Sequence, residues 1–190
     1  MKTLATRFPR LILASQSPAR REILCKEGID VTVMPTGADE STTITEPKER
    51  VRLLALKKLS TFLSVHPNPP LPVLACDTLV SLDGAFIGKA KDRDEAYQQL
   101  FRFSAKRQMV ESGWALYEDG HTFSGADAAF VTFRTLDKET IEGYLDTGEW
   151  RGAAGSYRIQ GKGDALIASV EGDVNTVVGL PLLALRAAFL

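Results

Sequence analysis

Four consecutive apolar residues, Leu11-Ile12-Leu13-Ala14, run directly into Ser15-Gln16-Ser17-Pro18, and no other feature of the chain narrows its fold so much. A continuous apolar run of this length reads as a strand buried on both faces. Ser17 has the hydroxyl of a helix cap and Pro18 suits a first helical position, so the chain passes from strand to turn to helix within a few residues. Ile23, Leu24 and Cys25 give that helix an apolar side until Gly28 stops it.

The same alternation continues. Val31 to Met34 reads as a second strand. Thr45 can cap a helix whose early Pro47 is tolerated, and Val51, Leu54, Ala55, Leu59 and Phe62 recur at helical spacing, with Lys58 inside the stripe, until Pro67 to Pro72 forbid continuation. Val73 to Leu82 reads as a long strand, with Asp83-Gly84 as a hairpin turn into Ala85 to Ile87. Asp92 and Glu95 have capping-box spacing ahead of a helix through Phe101. Strands are expected at Met109 to Tyr117, Ala128 to Arg134 and Asp164 to Val170, with a helix at Lys138 to Leu145. The mixture is α/β or α+β, and the hairpin neighbours disfavour a purely parallel sheet.

The 190 residues suffice for a single domain, 1–190, and 23 Lys plus Arg against 24 Asp plus Glu leave a net charge of −1, so any anion site must be local and nucleic acid is not the expected partner. No apolar run reaches the roughly 20 residues of a membrane-spanning helix. The first residues have no small-residue cleavage site after their apolar run, which reads as a cytoplasmic N-terminus. Cys25 and Cys76 stand far apart and suggest neither a disulfide framework nor zinc.

The Ser15 to Arg21 turn is the first candidate site. Free backbone N–H groups and the helix dipole meet the side chains of Arg20 and Arg21 there, and cations belong at the other end of a helix. Either these arginines point into solvent, helped by Glu22, or an anion compensates them. Asp77 interrupts an apolar strand; it bonds backbone at a bulge, or it faces a cleft and does chemistry. Lys58 could snorkel or meet a phosphate, and Lys89 could be an ordinary surface lysine. Glu40 reads most simply as a loop residue, and Gln160 as a turn residue or a reader of a base edge. His66 and His121 look like exposed loop positions. With no credible Ser/His or Cys/His pair, any chemistry rests on carboxylates, cations and water.

Five ordered blocks change the weighing. Leu11 to Leu24, Cys76-Asp77-Thr78, Gly88-Lys89, Ala154 to Gly161 and Val177 to Leu182 together resemble the Maf family of nucleoside triphosphate pyrophosphatases over nearly the whole chain. The resemblance implies an elongated mixed sheet flanked by helices, two lobes with a central cleft, similar to inosine triphosphate pyrophosphatases, and frequently a homodimer. It implies hydrolysis of a nucleoside triphosphate to the monophosphate and pyrophosphate with a divalent cation, Mg²⁺, Mn²⁺ or Co²⁺. By this resemblance Asp77 is the catalytic base. Ser15, Arg20, Arg21, Lys58 and Lys89 contact phosphates, Glu40 joins Asp77 near the metal, and Thr78 and Gln160 go with thymidine and uridine nucleotides.

The chain departs from the family pattern at Ala19, Ala90, Ala105, Gln108 and Ala153, where an arginine, a proline, a glycine, a histidine and a lysine are usual. The missing arginine at Ala19 belongs to the dTTP/UTP-preferring subgroup, so beside the expected dTTP, UTP or modified pyrimidine nucleotides, an enzyme acting on 7-methyl-GTP or another modified nucleotide stands as the alternative. A nucleotide-binding regulator of cell division that has lost catalysis is the alternative from another class.

Overall fold

A computed structural model describes residues 3–190. A one-turn helix α1 (Leu4–Arg7), capped by Thr3, precedes β1 (Arg10–Leu13). Then come α2 (Pro18–Lys26), β2 (Asp30–Val33), the long helix α3 (Pro47–Val65) and β3 (Val73–Leu82). The hairpin strand β4 (Ala85–Ile87) and α4 (Arg93–Phe103) lead to β5 (Arg107–Glu118), β6 (His121–Phe133) and α5 (Lys138–Asp146). A 3₁₀ turn (Lys162–Leu166), β7 (Ile167–Glu171), α6 (Val174–Val178) and α7 (Leu182–Phe189) complete the chain.

The strands form a seven-stranded mixed sheet in the order β2-β1-β3-β5-β6-β7, with β4 on β3. β1 is parallel to β2 and to β3, whereas β3–β4 and β6–β7 are antiparallel. Two hairpins are closed by Asp-Gly pairs with both residues at positive φ: Asp83 (52°) with Gly84 (78°), and Asp119 (48°) with Gly120 (82°). That backbone follows the twist of the flanking strands and is the reason Asp-Gly recurs at such turns.

The chain divides into two compact units, the first containing residues 1–77, 111–127 and 179–190 and the second 78–110 and 128–178. In the first, Ile12, Ala14, Val73 and Ala75 of β1 and β3 pack on Ala55, Leu59 and Phe62 of α3. Phe8, Trp114 and Phe123 surround Phe189, with ring centroids 5.1, 5.8 and 5.3 Å away, so α7 is held by aromatic contacts. In the second unit, Leu100 and Phe103 of α4 pack with Ile141 and Leu145 of α5, and with Val80 and Val131 of the strands. Among the described residues no helix is long and apolar enough to cross a membrane.

Several expectations need correcting. Glu46, not Thr45, caps α3, its carboxylate accepting from the N–H groups of Lys48 (3.2 Å) and Glu49 (2.6 Å), because Pro47 is the first helical residue and the cap is whatever precedes it. His121 opens β6, since the Asp119-Gly120 turn starts the return strand at once. The segment expected as a strand from Asp164 begins instead as the 3₁₀ turn. Cys25 is exposed and adds nothing to the apolar side of α2. β2 ends at Val33 and is largely exposed, as its place at one end of the strand order requires.

Two residues sit where the fold works against them. Ala105 follows α4 at φ 55°, a conformation that suits glycine, and its N–H is committed to the carbonyl of Arg134 at 2.9 Å. Ala105→Gly should therefore stabilise the protein by about 1 kcal/mol, read as a rise in urea midpoint. Glu111 on β5 is 3 % exposed with its Oε2 unpartnered; burial, reinforced by the charge of Glu46 and opposed by Lys48, pushes its carboxyl up from 4.5 to about 7. The folded chain then keeps a proton that the unfolded chain releases, so stability present below pH 4.5 is lost as pH rises through about 7. Glu111→Gln should leave Tm nearly unchanged at acid pH and raise it at pH ~8, flattening the profile measured by thermal melts.

Candidate active site

The strand order turns back on itself beside β1: the chain moves to β2 on one side, then through α3 to β3 on the other. Side chains gather beyond the carboxyl ends of strands at such a reversal, because the two connections leave on opposite sides. Ser15 follows β1, and the Ala14 N–H donates to the carbonyl of Leu74 at 2.8 Å, which brings Ser15 level with Cys76 and Asp77 on the neighbouring strand.

Arg20 ties these segments together. Its Nη1 donates to Ser15 Oγ at 2.9 Å and to the carbonyl of Cys76 at 3.0 Å, and its Nε donates to the carbonyl of Gly179 at 2.7 Å. Ser17 caps α2 by accepting from the Arg20 N–H at 3.3 Å, while the Ser17 N–H donates to Ser15 Oγ at 3.3 Å. The guanidinium is thus fixed beside the peptide that precedes Asp77. Arg21 is exposed on the same helix and is not among the groups bonded to Ser15, Cys76 or Gly179.

Asp77 is 6 % exposed, and a carboxylate so placed needs a cation or a proton. Lys58 reaches it from α3: its ammonium pairs with Asp77 Oδ1 and, at 2.9 Å, with Glu40 Oε1. Lys58 therefore lies in the apolar stripe of its helix because its charge is used at the end of that stripe. The Cys76 thiol lies among these charges; burial pushes it up to about 11, with Arg20 and Lys58 opposing and Asp77 adding to the effect. It is a buried small hydrophobe rather than a nucleophile.

The structure thus brings Ser15, Arg20, Lys58, Asp77 and Glu40 together within the first unit. Two carboxylates converging on one ammonium are hard oxygen donors, the set that Mg²⁺ or Mn²⁺ accepts alongside phosphate oxygens. Among the described residues no three His, Cys, Asp or Glu side chains converge in a metal-binding group.

Thr78 is half-buried and follows Asp77 on a continuous strand, so the two side chains leave opposite faces of β3. In the second unit Lys89 is exposed and its backbone bridges to Ala154, while the Gly155 N–H donates to the carbonyl of Gly88 at 3.1 Å. Lys89 is therefore tied to the segment that leads to Gln160, which is exposed. The acceptor roles of the Cys76 and Gly179 carbonyls were not legible in the sequence, since a backbone carbonyl has no side-chain signature.

The family profile described as "Maf-like protein" matches residues 10–189. The dTTP/UTP pyrophosphatase of Pyrococcus abyssi is 42% identical over 172 residues, 90% of each chain. That of Symbiobacterium thermophilum is 41% identical over 174 residues, 91% of this chain and 89% of the other. Among solved structures, the Ham1 protein of Staphylococcus aureus aligns with a TM-score of 0.45 at 12% identity, over 65% of this chain and 71% of that one. A profile spanning nearly the whole length, with relatives this similar over nine-tenths of it, means that the chain belongs to the Maf family.

Proposed function

We propose that the protein hydrolyses a nucleoside triphosphate, dTTP or UTP by preference, to the monophosphate and pyrophosphate. The observation that carries this is the fastening of Arg20 to the carbonyl of Cys76, which fixes a guanidinium at the peptide that precedes Asp77, whose buried carboxylate is paired with Lys58. The preference for thymidine and uridine nucleotides is supported by the names of the relatives and by Thr78 and Gln160 standing at the positions associated with those bases.

In this reading the triphosphate lies against the Ser15 turn and the start of α2, where backbone N–H groups and the helix dipole favour anions. Asp77 orients a water and takes its proton as the oxygen attacks the α-phosphorus. The bond from that phosphorus to the bridging oxygen breaks, and pyrophosphate leaves with the oxygen. Arg20 and Lys58 stabilise the charge that grows on the leaving group, with Arg21 as a further phosphate contact. A divalent cation held by Asp77 and Glu40 would supply further positive charge against the phosphate oxygens. Lys58 then has two tasks: it neutralises Asp77 in the empty protein, and it has an ammonium to offer when substrate charge arrives.

Asp77→Asn should lower pyrophosphate release by about 10²–10⁴-fold while the chain still melts cooperatively, at a lower temperature because Lys58 loses its buried partner. Wild-type turnover by that variant, across a panel of dTTP, UTP, CTP, GTP and 7-methyl-GTP with each divalent cation, would overturn the assignment. Arg20→Lys places one ammonium where a planar fork now spans Ser15, Cys76 and Gly179, and should cost about tenfold or more in kcat/KM, measured by the same release assay.

A further inference from the structure

Gln160 stands exposed between buried Ile159 and exposed Gly161, in a turn whose own backbone bonds are local: the Gly161 N–H to the Arg158 carbonyl at 3.1 Å, and the Asp164 N–H to the Gly161 carbonyl at 3.2 Å. Two neighbouring side chains anchor this turn within the second unit. Arg158 donates from Nε to the carbonyl of Glu149 and from Nη2 to the carbonyl of Arg151, both at 2.8 Å, while its own N–H donates to Tyr144 Oη at 3.0 Å. Glu149 closes the other flank, its Oε2 accepting from the Lys162 N–H at 2.9 Å. The turn is also packed too closely for larger residues. A Cβ on Gly161 would strike the Glu149 carboxylate, and one on Gly163 would lie 2.5 Å from the Arg158 carbonyl.

Backbone is therefore pinned two residues before Gln160 and two residues after it, and the Gln160 side chain starts from a fixed Cα–Cβ direction. An amide that discriminates bases through paired donor and acceptor needs such a fixed start, since a freely turning loop would lose the entropy again on binding. We propose that Arg158 and Glu149 are positioning residues that set how Gln160 presents its amide, and that base selectivity depends on them. The inference rests on the reading of Gln160 as a base contact.

The test compares pyrophosphate release from dTTP and CTP by the full-length protein and its Gln160→Ala, Arg158→Ala, Arg158→Lys, Glu149→Ala and Glu149→Gln variants, with hydrogen exchange followed at residues 159–163. Arg158→Ala should reduce the dTTP-over-CTP ratio of kcat/KM about tenfold, chiefly through KM for dTTP, and speed exchange at Gly161 and Lys162. Arg158→Lys should recover part of the ratio. Glu149→Gln keeps an acceptor oxygen for the Lys162 N–H and should hold the ratio that Glu149→Ala loses. An unchanged ratio and unchanged exchange in Arg158→Ala overturn the proposal; if that variant does not fold, Arg158→Lys and Glu149→Ala are judged by the same two readouts. An unchanged ratio in Gln160→Ala overturns the base contact and this proposal with it, while continued release from dTTP by that variant leaves the proposed reaction standing.

Discussion

The first unit depends on neutralising one buried carboxylate. Asp77 sits in the apolar strand β3 with almost no access to water, and taking a charge there costs several kcal/mol unless a partner meets it. Lys58 is that partner, and it arrives from a helix whose other inward residues are apolar. The pair couples the placement of α3 to that of β3, and through Glu40 it also draws in the loop that precedes the helix. Removing Lys58 would leave Asp77 buried without its cation, and removing Asp77 would leave Lys58 with Glu40 alone; breaking a buried pair in this way is costlier than replacing both members by apolar residues. A pair with that asymmetry is poor economy for stability alone and sensible where a third charged body is expected.

Arg20 illustrates a different device. Its guanidinium is held by two backbone carbonyls and a serine hydroxyl contributed by three separate stretches of chain. Carbonyls cannot be titrated, and they move only when the backbone moves, so the cation keeps its orientation across the pH range. A phosphate meeting it has little ordering left to do, which is the sense in which a site is preorganised. The unfavourable placement of an arginine in a first helical turn is offset by these bonds rather than by solvent.

Much of this was legible in the sequence, and the reasons are local. The strand-turn-helix at Leu11 to Leu24 was readable because Ser17 and Pro18 are cap and first-turn residues whatever surrounds them. The Asp83-Gly84 hairpin was readable for the same reason. The first half of β6 was not, because His121 to Asp127 carry no period-two pattern and that segment is strand through its neighbours. α7 escaped because the rings that hold its Phe189, those of Phe8, Trp114 and Phe123, come from elsewhere in the chain. At the site, Asp77 stood out as a charge inside an apolar run. Its pairing with Lys58, and the sharing of that lysine with Glu40, are tertiary facts that spacing cannot express. Thr78 shows the converse: adjacency to Asp77 in sequence means separation in space on a strand.

The positions where the chain departs from the family pattern sort by physical setting. Ala90 packs against the second unit's core, Ala153 is buried, and Gln108 is buried with its Nε2 donating to Tyr157 Oη at 2.5 Å. Ala90 and Ala153 are absorbed by packing within the second unit, whereas Gln108 satisfies its Nε2 and leaves its buried Oε1 without a hydrogen-bond partner. Ala105 is tolerated with strain, at a φ that a glycine would adopt freely. Ala19 differs in kind, for it stands half-buried in the first turn of α2 beside Arg20. An alanine there removes a second positive charge from the positive end of a helix dipole, which relieves repulsion of roughly 0.3–1 kcal/mol and leaves Arg20 as the cation that the backbone carbonyls hold. The turn thereby becomes more stable by itself and less attractive to a highly charged anion, and under the proposed function more of the polyphosphate's charge would fall to Arg20 and Lys58.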